Sequence, residues 1–95
     1  MLRLMLIVVD AAIRGEVEVL LRKAGAPGFT ELAAAAGLGE TGFRLGSGAF
    51  PATSAVLMTV LDPVAEPNVR IALAGFEEGD SRRVRAYAWN VEEVA

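Results

Sequence analysis

Leu4-Met5-Leu6-Ile7-Val8-Val9 is a run of six residues without a polar side chain, closed by Asp10. Read as a strand, it alternates between Leu4, Leu6 and Val8 on one face and Met5, Ile7 and Val9 on the other. Both faces are apolar, so both have to be covered. Ala55 to Leu61 repeats the property, with Val56, Met58 and Val60 set against Leu57, Thr59 and Leu61, and Asp62-Pro63 ends it. Two strands of this kind belong at the centre of a sheet that is covered on both sides.

Outward from the first strand, Asp10 is placed to cap a helix whose Ile13, Val17, Leu20, Leu21 and Ala24 form one stripe. Glu16, Glu18, Arg22 and Lys23 face water, the two cations suit the negative end of the helix, and Gly25 stops it. Phe29 to Ala36 follows as a strand by position, although its alanines favour helix. Residues 37–50 hold five glycines and no apolar period, which predicts a long flexible loop or an open hairpin. A second helix is expected from near Pro67, with Val69, Ala72, Leu73 and Phe76 at helical spacing and a stop in the Glu77 to Arg83 turn. Val84 to Val91 is the last strand, Val84, Ala86, Ala88 and Asn90 alternating with Arg85, Tyr87, Trp89 and Val91.

The order is strand, helix, strand, strand, helix, strand over a single domain, 1–95. Two such halves give an α+β, ferredoxin-like βαββαβ fold: a four-stranded antiparallel sheet, two helices on one face, the first and third strands central. The helices cover one face of those central strands, and the other face must meet another subunit. Composition points the same way. With 54% hydrophobic and 22% charged residues in 95, the chain is more apolar than so small a domain can bury alone. No apolar run approaches the roughly 18 to 20 residues that would span a bilayer, so membrane insertion is not expected. Leu4 to Val9 is too short for the apolar core of a signal peptide, and the reading is cytoplasmic.

Composition also removes function classes. There is no cysteine and no histidine, hence no disulfide or thiolate chemistry and none of the commonest general base or transition-metal ligand. Ser47, Ser54 and Ser81 have no histidine to activate them, and Lys23, the only lysine, sits on a water-facing helix position. A net charge of -3 with interspersed signs gives no electropositive footprint for nucleic acid. The expectation is a protein that is not an enzyme.

The chain resembles the PII and PII-like signalling proteins. The stretches that carry the resemblance are Gly25-Ala26-Pro27-Gly28-Phe29-Thr30, then Gly37-Leu38-Gly39, and Gly46-Ser47-Gly48-Ala49-Phe50-Pro51 before the third strand. The resemblance implies a homotrimer with ligand clefts between subunits. It places Thr30, Gly37 and Gly39 beside a nucleotide or other small anionic ligand, and makes residues 37–50 the segment that docks on a protein target. Glu40 stands where PII proteins have an arginine, the loop is short and tyrosine-free, and Glu77-Glu78-Gly79-Asp80-Ser81-Arg82-Arg83 replaces a lysine-bearing glycine turn. Acidic residues there repel polyphosphate, which counts against ATP bound in the PII manner.

The residues themselves leave alternatives. Thr30 could hydrogen-bond a ribose, and Gly37 and Gly39 could let backbone N–H groups approach an anion; they are equally a β-former and two turn glycines. Arg82 and Arg83, with Arg85, form the one basic cluster and could hold a phosphate or carboxylate, or simply compensate Glu77, Glu78 and Asp80. Arg44 is a rival anion contact. Glu40, Arg44 and Phe50 are the partner-facing candidates on the loop. Glu31 and Glu40 could approach a hard cation or serve carboxylate acid–base chemistry, but no motif places them together, and no metal site is expected. Tyr87 and Trp89 are expected in the core or in an interface. A ligand-free structural or interaction module of the same fold is the alternative to a sensor.

Overall fold

The structure is a computed structural model that describes the backbone of residues 1–35, 37–39, 42–44, 53–79 and 84–95, and the side chains of 1–32, 53–76 and 84–95. β1 is Leu2–Asp10. At its end the Asp10 Oδ1 accepts from the Ala12 N–H at 2.9 Å, capping a 3-10 turn, Ala11–Ile13, that leads into α1, Arg14–Lys23. α1 ends on Gly25, whose φ of 99° lies in the left-handed region open to glycine. The next N–H, that of Ala26, then reaches back to the Leu21 carbonyl at 3.0 Å, which satisfies one of the helix's last acceptors.

β2 is Thr30–Ala35, β3 Gly37–Gly39, β4 Gly42–Arg44 and β5 Ser54–Leu61. The short strands β3 and β4 pair antiparallel, Gly37 opposite Arg44 and Gly39 opposite Gly42. Of the two forms expected for the glycine-rich segment, its first part is therefore a hairpin; residues 45–50 lie outside the described residues. α2 is Ala65–Gly79 and β6 is Val84–Val91.

Two boundaries of α2 differ from the sequence reading. The helix opens two residues before Pro67, because the Asp62 Oδ1 accepts from the N–H groups of Val64 and Ala65 at 3.0 and 2.8 Å. At the other end it continues through Glu77 and Glu78 to Gly79 instead of stopping before them. Glutamate is a good helix former and glycine is not, so propensity extends the helix to the glycine.

The main sheet has the order β2-β5-β1-β6, every neighbouring pair antiparallel, so β1 and β5 are central as the two doubly apolar segments require. The core lies on one side. Met5, Ile7 and Val9 of β1, Ala55, Leu57 and Leu61 of β5 and Val84 of β6 pack with Ile13, Val17 and Leu21 from the first helical segment and Val69 and Leu73 from α2. At the edge of this layer Arg3 Nη1 donates to Asn90 Oδ1 at 2.8 Å, tying β1 to β6. This is a ferredoxin-like α+β fold.

Candidate functional site

Among the described residues no helix lies over the opposite face of the sheet, and the register gives its composition row by row. Thr30, Met58, Leu6 and Tyr87 lie side by side across β2, β5, β1 and β6; Leu32, Val56, Val8 and Arg85 form the next row, and Val60, Leu4 and Trp89 the row on the other side. Tyr87 is 58% exposed, Leu32 57%, Trp89 45% and Val60 44%. Leu4, Leu6, Val8, Val56 and Met58 are only half-buried. A continuous apolar sheet surface of this kind marks an interaction face. Beyond the last row, Leu2, Leu4, Val60 and Val91 line a hollow of about 230 Å³ rimmed by Glu92 and Glu93. In the single chain Tyr87 and Trp89 are exposed and outside the core, so the core is not their place.

The turn from α1 to β2 is built to hold Thr30 at the margin of that face. Phe29 packs half-buried against the core. Thr59, 2% exposed, donates from Oγ1 to the Gly28 carbonyl at 2.6 Å, so central strand β5 grips the backbone two residues before Thr30. Thr30 then emerges exposed on the open side opposite Met58, and Glu31 turns to the helix side opposite Leu57. Gly28 has ordinary backbone, and a Cβ built there meets nothing within 4 Å. Sequence reasoning passed over Thr59; its signal was a hydroxyl on an otherwise apolar β5 face.

Two carboxylates on the helix side have surroundings that act in opposite directions. Glu31 Oε1 meets Arg14 Nη1 at 3.2 Å, while its Oε2 is buried and receives no hydrogen bond from any N–H or hydroxyl. A hydrogen bond with the Glu18 carboxyl raises the Glu31 pKa above its ordinary 4.5; burial and the Glu18 charge push the same way, and Arg14 opposes them. Glu66 is held instead by both ends of the Arg70 guanidinium, at 3.0 and 3.2 Å, with Arg3 Nε at 3.9 Å. The Arg70 hydrogen bonds lower its pKa, burial works against them, and the charges of Arg70 and Arg3 add to the lowering.

Of the candidate residues, Thr30 is placed on the open face, and Gly37 and Gly39 follow it on β3, one strand further along the chain. Arg44 lies opposite Gly37 in the hairpin. Glu40, Phe50, Arg82 and Arg83 lie outside the described residues. Arg85 is on the open face beside Val8, with Nη1 donating to the Val84 carbonyl at 2.9 Å. Among the described residues no cluster of three or more metal-ligating side chains occurs, and Glu31 is engaged with Glu18 and Arg14. No described helix is long and apolar enough to cross a membrane.

A ferredoxin-like sheet with one bare apolar face and a glycine-bordered turn at its margin defines a class of small α+β proteins. Within that class the chain has the PII-like fold. It is similar to CPII, a nitrogen regulatory PII-like protein from Thiomonas intermedia K12 bound to ADP, AMP and bicarbonate, at a TM-score of 0.74 and 20% identity over 95% of this chain and 87% of that one. It is also similar to a putative PII-like signaling protein from Thermus thermophilus, at 0.73 and 22% over 95% and 86%. A DUF3240 family protein from Shewanella baltica OS155 matches at 0.72 and 13% over 99% and 93%. No protein-family model and no curated protein matches the sequence.

Proposed function

We propose that this chain is a divergent, short-loop PII-like regulatory protein: a single-domain, cytoplasmic homotrimer that binds a small anionic metabolite or nucleotide at clefts between subunits and has no enzymatic activity of its own. The observation that carries the reading is the bare sheet face. Thr30 stands in one row with Met58, Leu6 and Tyr87, so a second copy laid on that face brings its own surface to the margin where Thr30, and beyond it Gly37 and Gly39, would meet a ligand. That two of the similar structures are of PII-like proteins, one of them holding ADP, AMP and bicarbonate, supports a small-molecule role. Arg82 and Arg83, just before β6 in the chain, would supply positive charge. Glu40, Arg44 and Phe50 would present the protein-binding surface, its arrangement set by the ligand.

The acidic Glu77 and Glu78 and the glutamate at position 40 favour a ligand of lower charge than ATP. The test is light scattering combined with thermal unfolding across a panel of ATP, ADP, AMP, bicarbonate and acetate. Three 10.0 kDa chains per particle, with unfolding shifted upward by one of these ligands and the shift lost in Thr30→Ala, is the expected result. A trimer indifferent to the panel would move the assignment to a ligand-free interaction module. A stable monomer would overturn the reading.

A further inference from the structure

We propose that the outer surface of the helix layer is a second self-association face, on which α1 of one copy packs antiparallel against α1 of another and Glu16 of each chain pairs with Lys23 of its mate. The inference is independent of the ligand reading, because it concerns the side of the molecule turned away from the bare sheet face.

The sequence of α1 sets up the pattern. Its inward stripe, Val17 and Leu21 with Ile13 ahead of them, is buried in the core. A second stripe, Glu16, Val19, Leu20 and Lys23, runs at i, i+3, i+4 and i+7 along the outer side of the helix. Seven residues are about 10.5 Å of helix and about 20° short of two full turns, so Lys23 stands almost in line with Glu16. The apolar pair, Val19 and Leu20, lies midway between the two charges. α2 adds Asn68 and Ile71, and between them the two helices enclose a groove of about 460 Å³.

The exposure of these residues makes the groove an interaction surface. Ile71 is 71% exposed and Val19 44%, on helices whose inward stripes already supply the core. An apolar centre with a polar rim is the anatomy of an interface. Glu16 and Lys23 are exposed, and neither side chain enters an ion pair or hydrogen bond among the described residues. Two turns apart on one helix, they are out of reach of each other.

The spacing selects a second copy as the occupant. A two-fold axis perpendicular to α1, midway between residues 16 and 23, sets Val19 and Leu20 against their own counterparts. The same operation brings Glu16 to the partner's Lys23 and Lys23 to the partner's Glu16, so both ion pairs close at once. A helix of uniform charge would meet a like charge at one end of this stripe; α1 run backwards meets none. The face is small. Two turns of a helix pair, about 10.5 Å by 20 Å, fall well short of the about 800 Å² per partner of a stable interface. The contact is therefore weak and reversible, and at high concentration it joins particles already closed over the sheet face.

The test is sedimentation equilibrium of the full chain, without ligand, from about 10 µM to about 1 mM. The weight-average mass of the wild type is expected to rise with concentration above its value at dilution. Glu16→Lys and Lys23→Glu each turn both ion pairs into like-charge contacts, and each should weaken this association about tenfold. An equimolar mixture of the two, and the double variant Glu16→Lys/Lys23→Glu, restore opposite charges across the axis and should return to within about threefold of wild type. Ile71→Asp should abolish the growth in mass. All the charge variants oppose the α1 dipole and should unfold at lower temperature. A merely structural role would leave the double variant the worst of them, whereas pairing across the axis restores its association. Single variants that associate as the wild type does, a double variant no better than the singles, or growth that survives Ile71→Asp would each overturn the proposal. A wild-type mass independent of concentration would overturn it too, and would leave the groove to a helix of another protein. Mass at dilution reports the sheet face and growth above it reports the helix face, so failure of one reading is distinguishable from failure of the other.

Discussion

At the scale of single residues, the most consequential side chain is one that the pattern of the sequence disguises. Thr59 occupies an apolar row, and the alternation of Leu57, Thr59 and Leu61 treats it as a small β-branched filler. Its hydroxyl instead closes on the Gly28 carbonyl at 2.6 Å and fixes the turn that delivers Thr30. Thr59→Val keeps the shape and removes the donor, leaving the Gly28 carbonyl without that partner. The expected loss is about 1 to 2 kcal/mol in urea unfolding, with Thr59→Ser nearer to wild type. A Thr59→Val protein as stable as wild type would mean that the hydrogen bond is replaced by water. Gly25, by contrast, was legible: a glycine after the cationic last turn of a helix predicts the left-handed residue that is found there. The ion pair of Arg14 and Glu31 was not legible, because nothing in the spacing of residues 14 and 31 says that a helix face and a strand face will bring them together.

Elements were legible wherever both periodicity and a stop signal were present. β1, α1, β5 and β6 follow from alternation or a helical stripe bounded by Asp10, Gly25 or Asp62-Pro63, and β6 has the predicted limits, Val84–Val91. β2 could be placed only by its position in the order, since its alanines carry no strand preference, and the start of α2 was missed because Asp62 reads equally as a strand end and as a cap. The electrostatic tie of α2 to β1 makes its own prediction. Glu66 takes both ends of Arg70 on its own helix and faces Arg3 from β1. Its lowered pKa means that the stabilisation is present above the ordinary value of 4.5 and is lost as pH falls through the lowered one. Urea midpoints measured from neutral pH downward should therefore decline below about pH 4.5, and Glu66→Gln should be less stable at neutral pH with a shallower acid limb. The sign is opposite to that of Glu31, so the two sites are separable by variant even where their effects overlap in pH. An acid limb unchanged in Glu66→Gln would assign the decline to other carboxylates.

At the scale of the whole molecule, the inference with the widest reach is also the simplest: strands apolar on both faces favour an assembly that covers the second face. The sequence reading reached this from Leu4 to Val9 and Ala55 to Leu61 alone. The register then assigns the two faces, Met5, Ile7 and Val9 inward and Leu4, Leu6 and Val8 outward, with the outward set flanked by Val56, Met58, Val60, Tyr87 and Trp89. Leu6 is at the middle of that outward set, between Met58 and Tyr87. Leu6→Asp leaves the inward core untouched and, in a monomer, puts the carboxylate where water can reach it. In an assembly closed over this face the same carboxylate is buried without a partner, at a cost of several kcal/mol in each subunit. The variant is therefore expected to scatter light as a 10.0 kDa chain while keeping the far-ultraviolet circular dichroism of the wild type, and to lose any ligand response that needs two subunits. If Leu6→Asp keeps the wild-type mass, the face that covers the sheet is not this one. If it unfolds outright, the chain has no stable monomer, and Tyr87→Asp, nearer the β6 edge of the same row, repeats the test with a smaller perturbation of the centre.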